Sequence, residues 1–318
     1  MKKVLTMTLN PCIDKTIYME TFQVGGTNIV RKTVEEAAGK GINVAVGLKH
    51  LDVPVKAMGF AYKEDKDKLY GKLDAEQIPH SFVEVEGRLR VNQKIFDESK
   101  SEMTECNEKG TPVRQEDVER LLKILQDELT DASILVLSGS VPPGVDKDIY
   151  AIMTSMANEA GVKVVLDASG ELLTEGIKAK PYLIKPNREE FERTFLQKEG
   201  VEVYDIEASD IEEIMMSACD KLLSEGLTYI CLSLGAEGAM LVSKEGRPVS
   251  DEKESLITAK RPAIPVPIRS LQGAGDAMVA GLCKAIYEER EDKMLDYALA
   301  MAASTIALEG TAMGWLSK

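Results

Sequence analysis

Short apolar runs alternate with longer amphipathic stretches along most of the chain. The apolar runs are bounded by turn-forming residues, which is typical of strands buried on both faces of a sheet. Five such strands are predicted: Val4–Leu9, Ser133–Leu137, Val162–Leu166, Leu183–Lys185 and Tyr229–Ser233.

The stretches between these runs carry apolar residues at helical spacing and acidic residues on the opposite face. They predict helices over Gln115–Leu129, Asp146–Ala160, Asn187–Phe195 and Ser209–Ser224. Alternation of strands and helices predicts an α/β protein with a parallel, doubly wound sheet and helices on both faces. Ligands of such sheets bind beyond the carboxyl ends of the strands, so candidate site residues are sought there.

Two segments, Thr16–Glu36 and Ser81–Cys106, break this alternation. Between Arg88 and Phe96 polar and apolar residues alternate, which is the period of a half-exposed strand. We expect both segments to form a small, mostly antiparallel sheet inserted into the α/β body. Since no repeat or linker divides the chain, we predict one domain over residues 1–318, with the insertion from about 15–36 and 81–107.

Composition and charge exclude several classes of protein. Hydrophobic residues make up 44% and charged residues 29% of the chain, as in ordinary globular proteins. The net charge of −14 argues against a protein that binds mainly to nucleic-acid phosphates. No apolar run approaches the ~20 residues of a membrane span. We therefore expect a cytoplasmic protein without nucleic-acid or membrane partners.

The cysteines and histidines narrow the chemistry further. Five scattered cysteines form no CxxC pair, so neither a disulfide framework nor a zinc site is predicted. The chain has only two histidines, which argues against a histidine-based catalytic triad. Proton transfer is therefore expected to use a carboxylate.

The sequence Gly273-Ala-Gly-Asp276 precedes a run of small and apolar residues that predicts a buried helix. Glycine permits close approach of a ligand, and the first N–H groups of a helix lack internal partners, so the motif suits an anion such as a transferring phosphoryl group. Asp276 is placed to accept the proton of an attacking hydroxyl. Alternatively, Asp276 merely caps the helix, and the motif alone does not decide between the two roles.

Two further motifs place positive charge in an otherwise acidic chain. In residues 37–45, glycines flank Lys40 at a helix start, and Lys40 with Asn43 suits a phosphorylated, polyhydroxylated ligand; a glycine-rich helix entry with a surface lysine is the alternative. Alternating residues give one strand a cationic face that suits a phosphate, or that only resists edge pairing. These residues are Arg88, Arg90, Asn92 and Lys94.

Weaker signals lie at other strand ends. Ser233–Gly238 follows a strand and is either a nucleotide-binding turn or a plain hairpin. Asn187 and Glu190 share a helix face and either order water around Mg²⁺ or only begin a helix. Asp14 follows the first strand, where a carboxylate could bind sugar hydroxyls or form a turn.

Taken in order, these motifs resemble those of the ribokinase-type carbohydrate kinases, the PfkB family, over nearly the whole chain. The likeness is greatest to its 1-phosphofructokinases. It rests on residues 8–14, 37–45, 90–94, 104–110, 138–144, 185–187 and 273–276. One departure is Ser270-Leu-Gln272, where the family commonly has a threonine before the Gly-Ala-Gly-Asp motif.

The resemblance implies a three-layer, ribokinase-like α/β sandwich whose small β-sheet acts as a lid and pairs with a second lid in a homodimer. It implies ATP and Mg²⁺ as cofactors and transfer to a ketohexose phosphate, with fructose 1-phosphate expected. Tagatose 6-phosphate and fructose 6-phosphate are the alternatives within the class. A non-catalytic sugar-phosphate sensor is the alternative outside it, and an NAD-dependent oxidoreductase is disfavoured because no dinucleotide fingerprint follows the first strand.

Site roles also follow from the resemblance. Asp276 is implied as the general base, and the backbone of Gly273, Ala274 and Gly275 as the anion hole. The implied substrate-binding residues are Asp14, Gly39, Lys40, Asn43, Arg90, Asn92, Lys94 and Ser138. The implied ATP-binding residues are Lys185, Asn187, Ser233, Gly235, Glu237, Gly238 and Gly275, with Asn187 and Glu190 supporting Mg²⁺ through water.

Overall fold

The computed structural model describes residues 2–196, 208–244, 256–310 and 312–315. Within these ranges the main sheet has nine strands, seven parallel and two antiparallel at one edge. In spatial order they are β13 (Ile257–Arg261), β12 (Ala239–Ser243), β11 (Tyr229–Ser233), β10 (Leu183–Ile184), β9 (Lys163–Asp167), β8 (Ala132–Ser138), β1 (Lys3–Thr8), β4 (Val55–Tyr62) and β5 (His80–Val85).

Helices cover both faces of this sheet. One face is covered by α1 (Lys40–His50), α2 (Lys66–Ala75), α8 (Ala274–Tyr287) and α9 (Met294–Ile306). The other is covered by α3 (Gln115–Leu129), α4 (Ile149–Glu159), α5 (Gly170–Gly176), the short α6 (Arg188–Phe191) and α7 (Ala208–Ser224). Successive strand residues point to opposite faces, so Leu5 and Met7 enter one core and Val4 the other. The predicted three-layer fold is confirmed.

A second sheet supplies the insertion, and we call it the lid. Its strands, in the order β3-β2-β6-β7, are β2 (Cys12–Met19), β3 (Lys32–Ala38), β6 (Arg90–Asp97) and β7 (Glu102–Asn107). The outer pairs are antiparallel, as expected, whereas β2 and β6 run parallel.

The lid begins later in its second segment than the sequence suggested. Residues 80–85 belong to the main sheet as its edge strand β5, parallel to β4, and not to the lid. Val83 and Val85 bury their side chains in the core beneath α3, which fixes the strand there. Both sheets impose the same two-residue period, so alternation could not assign this strand to either one.

Most predicted elements appear within a few residues of their expected bounds. The helix expected from Asp146 starts at Ile149, and the one expected over 187–195 is α6 continued by a π-helical turn to Leu196. Across the described part of the chain, no helix combines the length and apolar character needed to cross a membrane.

Candidate active site

A cavity of ≈ 400 Å³ lies beyond the carboxyl ends of the central strands. Thr8 ends β1 and Ser138 ends β8, and both line it. The chain order reverses between these two strands, since β1 is followed by β4 on one side and β8 by β9 on the other. Such a reversal point is where doubly wound sheets bind ligands.

The lid forms one wall of this cavity. Asp14 on β2 stands opposite Asn92 on β6, and the Asn92 amide donates to Asp14 Oδ1 at 3.1 Å. Lys94 donates to Asp14 Oδ2 at 2.7 Å, and both of these side chains are buried. The lid wall therefore carries a hydrogen-bonded cluster of Asp14, Asn92 and Lys94, in which the charges of Asp14 and Lys94 offset each other.

Arg90 also lines the cavity, and it differs from Lys94 in its partners. Its Nε donates to the carbonyl of Asn10 at 3.1 Å and its Nη1 to that of Glu108 at 3.2 Å. Among the described residues, no carboxylate forms an ion pair with it. Two carbonyls hold the guanidinium in place, and its remaining N–H groups suit an anionic ligand.

Asp167, at the end of β9, lines the cavity and forms ion pairs with two lysines. Its carboxylate lies 3.1 Å from Lys40 Nζ and 3.2 Å from Lys185 Nζ. Burial opposes ionisation of Asp167, but the two lysines outweigh it and hold its pKa below the usual range. The same carboxylate raises the pKa of Lys40, so this lysine stays charged.

Asp276 lies in the first turn of α8 and is buried. Burial raises its pKa to about 6, an effect that Lys40 partly offsets. The Asn43 amide donates to Asp276 Oδ2 at 2.8 Å. Gly273 occupies the N-cap position of this helix and no side-chain cap bond is present, so the alternative of a capping aspartate is wrong.

The start of α8 allows a ligand to approach its backbone closely. Gly273 has φ +74°, a conformation that glycine adopts without strain. The following N–H groups, of Ala274, Gly275 and Asp276, lie in the turn that lacks intrahelical acceptors. Lys185 lies alongside, since a Cβ on Gly275 would stand 3.6 Å from its Nζ. The N-terminal dipole and this lysine together favour negative charge here.

Buried polar atoms without a protein partner are concentrated in the same cavity. Among the described residues, five such side-chain atoms belong to residues that line it. They are Thr8 Oγ1, Asn10 Oδ1, Asn43 Oδ1, Asn92 Oδ1 and Ser138 Oγ. Buried polar groups normally find partners, so these atoms indicate a polyhydroxylated or otherwise polar ligand.

The residues expected to bind ATP lie beside this cavity, beyond the ends of β10 and β11. Ser233 pairs with Asn187 in a single parallel bridge. Gly235 and Glu237 form one 3₁₀ turn, and Gly238 follows in a left-handed conformation. Glu237 lies 3.9 Å from Arg188 and 3.8 Å from Lys260 and does not line the cavity.

Asn187 and Glu190 cap α6 reciprocally. Asn187 Oδ1 accepts from the Glu190 N–H at 2.7 Å, and Glu190 Oε2 accepts from the Asn187 N–H at 2.9 Å. The helix-start alternative is therefore present in the structure. Because Glu190 also lines the cavity, its second carboxylate oxygen is available to a hydrated cation. No cluster of three or more metal-ligating side chains occurs among the residues described.

The structure brings most of the predicted site together. The predicted residues that line the cavity are Asp14, Gly39, Lys40, Asn43, Arg90, Asn92, Lys94, Ser138, Glu190, Gly273 and Asp276. Arg88 does not join them: it lies just before β6, lines a separate depression and pairs with Glu108 at 3.0 Å.

Three residues of the site have no role assigned from the sequence. Asp167 directly follows the predicted strand Val162–Leu166, and this position was the available signal. Asn10 bonds both Ser140 and the Lys109 carbonyl, and nothing local in the sequence indicates this. Gln272 accepts from Lys94 at 3.0 Å across the cavity, a contact that depends on how the lid packs.

A model of the family described as pfkB family carbohydrate kinase matches residues 7–317. The chain belongs to this family. Kinases of this family use ATP, generally with Mg²⁺, so the chain is an ATP-dependent sugar kinase.

Curated relatives and solved structures agree with this membership. The chain is 32% identical to the 1-phosphofructokinase of Haemophilus influenzae over 99% of its own length and 93% of the relative's. It is 33% identical to that of Escherichia coli K12 over 96% and 91%. Escherichia coli phosphofructokinase-2 in complex with substrates and products matches with a TM-score of 0.85, at 25% identity over 98% and 95% of the two chains. Thermotoga maritima ribokinase shares the fold, with a TM-score of 0.76 at 17% identity over 98% and 95%.

Proposed function

We propose that this kinase phosphorylates fructose 1-phosphate at its 6-hydroxyl, giving fructose 1,6-bisphosphate. The observation that carries the proposal is a cavity with a buried carboxylate, Asp276, beside a helix start and, on the lid wall, the guanidinium of Arg90, which forms no ion pair among the described residues. The first suits a reacting hydroxyl and phosphoryl group, and the second suits a phosphate already on the sugar.

In the proposed step, Asp276 accepts the hydroxyl proton while the sugar oxygen bonds to the γ-phosphorus and the bond to the β-phosphate oxygen breaks. The N–H groups of Ala274 and Gly275 would donate hydrogen bonds to the phosphoryl oxygens and so stabilise the negative charge that develops on them. A pKa of about 6 leaves Asp276 ionised at neutral pH and close to the pKa range of an effective base.

The sugar would be held from both sides. From the lid, Asp14 and Asn92 would bind its hydroxyls. From the body, Asn43 and Ser138 would bind them through side-chain oxygens that have no protein partner. Arg90 and Lys40 would bind the existing phosphate. Gly39 belongs here because a Cβ at this position would lie 2.6 Å from Thr8 Cγ2, so a larger residue would displace the cavity wall.

ATP would lie over the ends of β10 and β11, with Lys185 at its phosphates and residues 233–238 against the nucleoside. Glu190 fits a hydrated Mg²⁺ better than Asn187 does, since the amide oxygen of Asn187 is already used in the helix cap. When bound, the ion would neutralise phosphate charge.

The choice of fructose 1-phosphate is supported by the curated relatives. The relatives named 1-phosphofructokinase are about a third identical to this chain, whereas phosphofructokinase-2, solved in complex with fructose 6-phosphate, is 25% identical. Arg90 and Lys40 favour a phosphorylated sugar in either case.

We also propose that body and lid form one domain over residues 1–318 and that two lids pair in a homodimer. Val24 and Ile29, in the loop between β2 and β3, expose 86% and 82% of their surface, and Met103 on β7 is also exposed. Exposed apolar side chains in and around one sheet are typical of an interface. Sedimentation should show a dimer that the double variant Val24→Asp/Ile29→Asp converts to a monomer.

The deciding experiment measures ADP release with ATP and Mg²⁺ over fructose 1-phosphate, fructose 6-phosphate, tagatose 6-phosphate and free fructose. Highest turnover on fructose 1-phosphate, lost in Asp276→Asn, supports the proposal. Preference for a 6-phosphate would change the substrate and keep the mechanism. Binding without turnover on any of these sugars would overturn the kinase assignment in favour of a sensor.

A further inference from the structure

One hydrogen bond joins the lid to the loop in front of α8. Lys94 Nζ, on the lid strand β6, donates to Gln272 Oε1 at 3.0 Å. The same nitrogen donates to Asp14 at 2.7 Å. Lys94 is buried, so its ammonium depends on these two acceptors for the solvation that water would otherwise supply.

The loop that carries Gln272 is fixed to the body. The N–H groups of Arg269 and Ser270 both donate to the carbonyl of Ile306, at the end of α9. Gln272 N–H donates to the Ser270 hydroxyl at 3.2 Å, which orients the residue. Gly273, the next residue, begins the helix whose first turn contains Asp276. The Gln272 side chain thus connects the lid directly to the entrance of the anion hole.

Two further hydrogen bonds between lid and body lie at the base of the lid, where its strands enter and leave the body. Arg90 bonds the Asn10 carbonyl, and Lys72 bonds that of Ala37. Lys94 lies four residues further along β6 than Arg90, or about 13 Å at the rise of a strand. A lid that pivots at its base would keep the basal bonds and break the bond between Lys94 and Gln272.

We propose that Gln272 is a positioning residue that docks the lid during phosphoryl transfer. It receives the ammonium of Lys94 when the lid closes, and so fixes Asp14 relative to the anion hole of α8. The inference rests on the proposed function, in which the sugar is held from the lid while the phosphoryl group is held by the body. Atoms that react must come within ~3–3.5 Å in the correct orientation, so docking of the two bodies affects the chemical step.

The test compares four variants with the wild type on fructose 1-phosphate. Gln272→Met keeps the size of the side chain and removes the acceptor, whereas Gln272→Glu keeps an acceptor. Lys94→Met and the double variant complete a thermodynamic cycle. Gln93→Met is the matched control, because Gln93 is on the same strand but faces the depression on the opposite side of the lid.

We expect Gln272→Met to lower kcat about tenfold, as for loss of a hydrogen bond to a charged group. KM for ATP should change less than kcat, and Gln272→Glu should retain most activity. In the Lys94→Met background, Gln272→Met should have little further effect, since the partner is already gone. A full effect in that background, or unchanged kcat in Gln272→Met, would overturn the proposal.

A second measurement does not depend on activity. Hydrogen exchange of Arg90–Asp97 in the substrate-free protein should be faster in Gln272→Met than in the wild type, and unchanged in Gln93→Met. Equal exchange in all three proteins would contradict the docking role. If the wild type phosphorylates none of the sugars, the proposed function fails, and the exchange result still decides whether Gln272 docks the lid.

Discussion

Asn43 donates a 2.8 Å hydrogen bond to Asp276, linking the first turns of α1 and α8. Both residues are buried, and each is held by a glycine-rich helix start. The bond favours the ionised carboxylate, while burial disfavours it more strongly and raises the pKa of Asp276 to about 6. The proposed base is therefore maintained at an energetic cost to the fold.

Replacing Asp276 with Asn should reduce phosphoryl transfer by ~10²–10⁴-fold, the usual effect of losing a general base. The same change should stabilise the protein at pH 8. Since the folded-state pKa lies above the unfolded value, stability falls as pH rises from the ordinary pKa of an aspartate to about 6, and the full loss is present above that pH. Thermal unfolding at pH 4 and pH 8 checks this: the stability gain of Asp276→Asn should be much larger at pH 8 than at pH 4, and a loss at pH 8 would contradict it.

The pH dependence of kcat/KM should show an acidic limb near pH 6, where Asp276 becomes protonated. Asn43→Ala removes a donor to the carboxylate, so the limb should move to higher pH. Asn158→Ala, at the exposed end of α4, is the control and should leave the limb in place. An unmoved limb in Asn43→Ala would show that another group titrates.

Asp167→Asn should destabilise the fold by ~3–5 kcal/mol, since it leaves the buried Lys185 ammonium without its carboxylate. Adding Lys185→Met should restore part of this loss, because the unpaired charge is then removed. Denaturant unfolding at pH 7 measures both. Because the pKa of Asp167 lies below its usual range, its contribution should disappear as pH falls through that lowered value. Equal stability of Asp167→Asn and wild type would contradict the pairing.

Arg90→Met should raise KM for fructose 1-phosphate by ~10–100-fold through loss of charge-assisted hydrogen bonds. Turnover of free fructose, which lacks the phosphate, should change little. Arg88→Met is the matched control, since Arg88 pairs with Glu108 outside the cavity. Similar KM values for both variants would remove Arg90 from the phosphate site.

The sequence predicted the body well because its strands are short apolar runs between amphipathic helices. It located β1, β8, β9 and β11, and it placed ligands at their carboxyl ends. It assigned residues 81–85 to the lid because strands of both sheets have the same two-residue period. Only the packing of Val83 and Val85 in the main core distinguishes the two.

In the site, the sequence indicated those residues whose chemistry can be inferred from adjacent residues, such as Lys40 and the motif Gly273–Asp276. Asp167 was missed because its role depends on Lys40 and Lys185, which lie far from it in sequence. Gln272 was noted only as a departure from the family pattern, and its contact with Lys94 arises from lid packing. Pairings across long sequence separations are what local patterns cannot encode.

The two-faced lid has a consequence for insertions and deletions. Along β6, Arg90, Asn92 and Lys94 face the cavity, whereas Val91 and Gln93 line the depression behind it. Losing or gaining one residue within this strand would exchange the two faces and turn apolar Val91 toward the sugar. The exposed turn at residues 98–101 follows the end of β6 and belongs to neither face. Length variation should therefore be tolerated at that turn. A tag inserted there should leave Arg90, Asn92 and Lys94 facing the cavity.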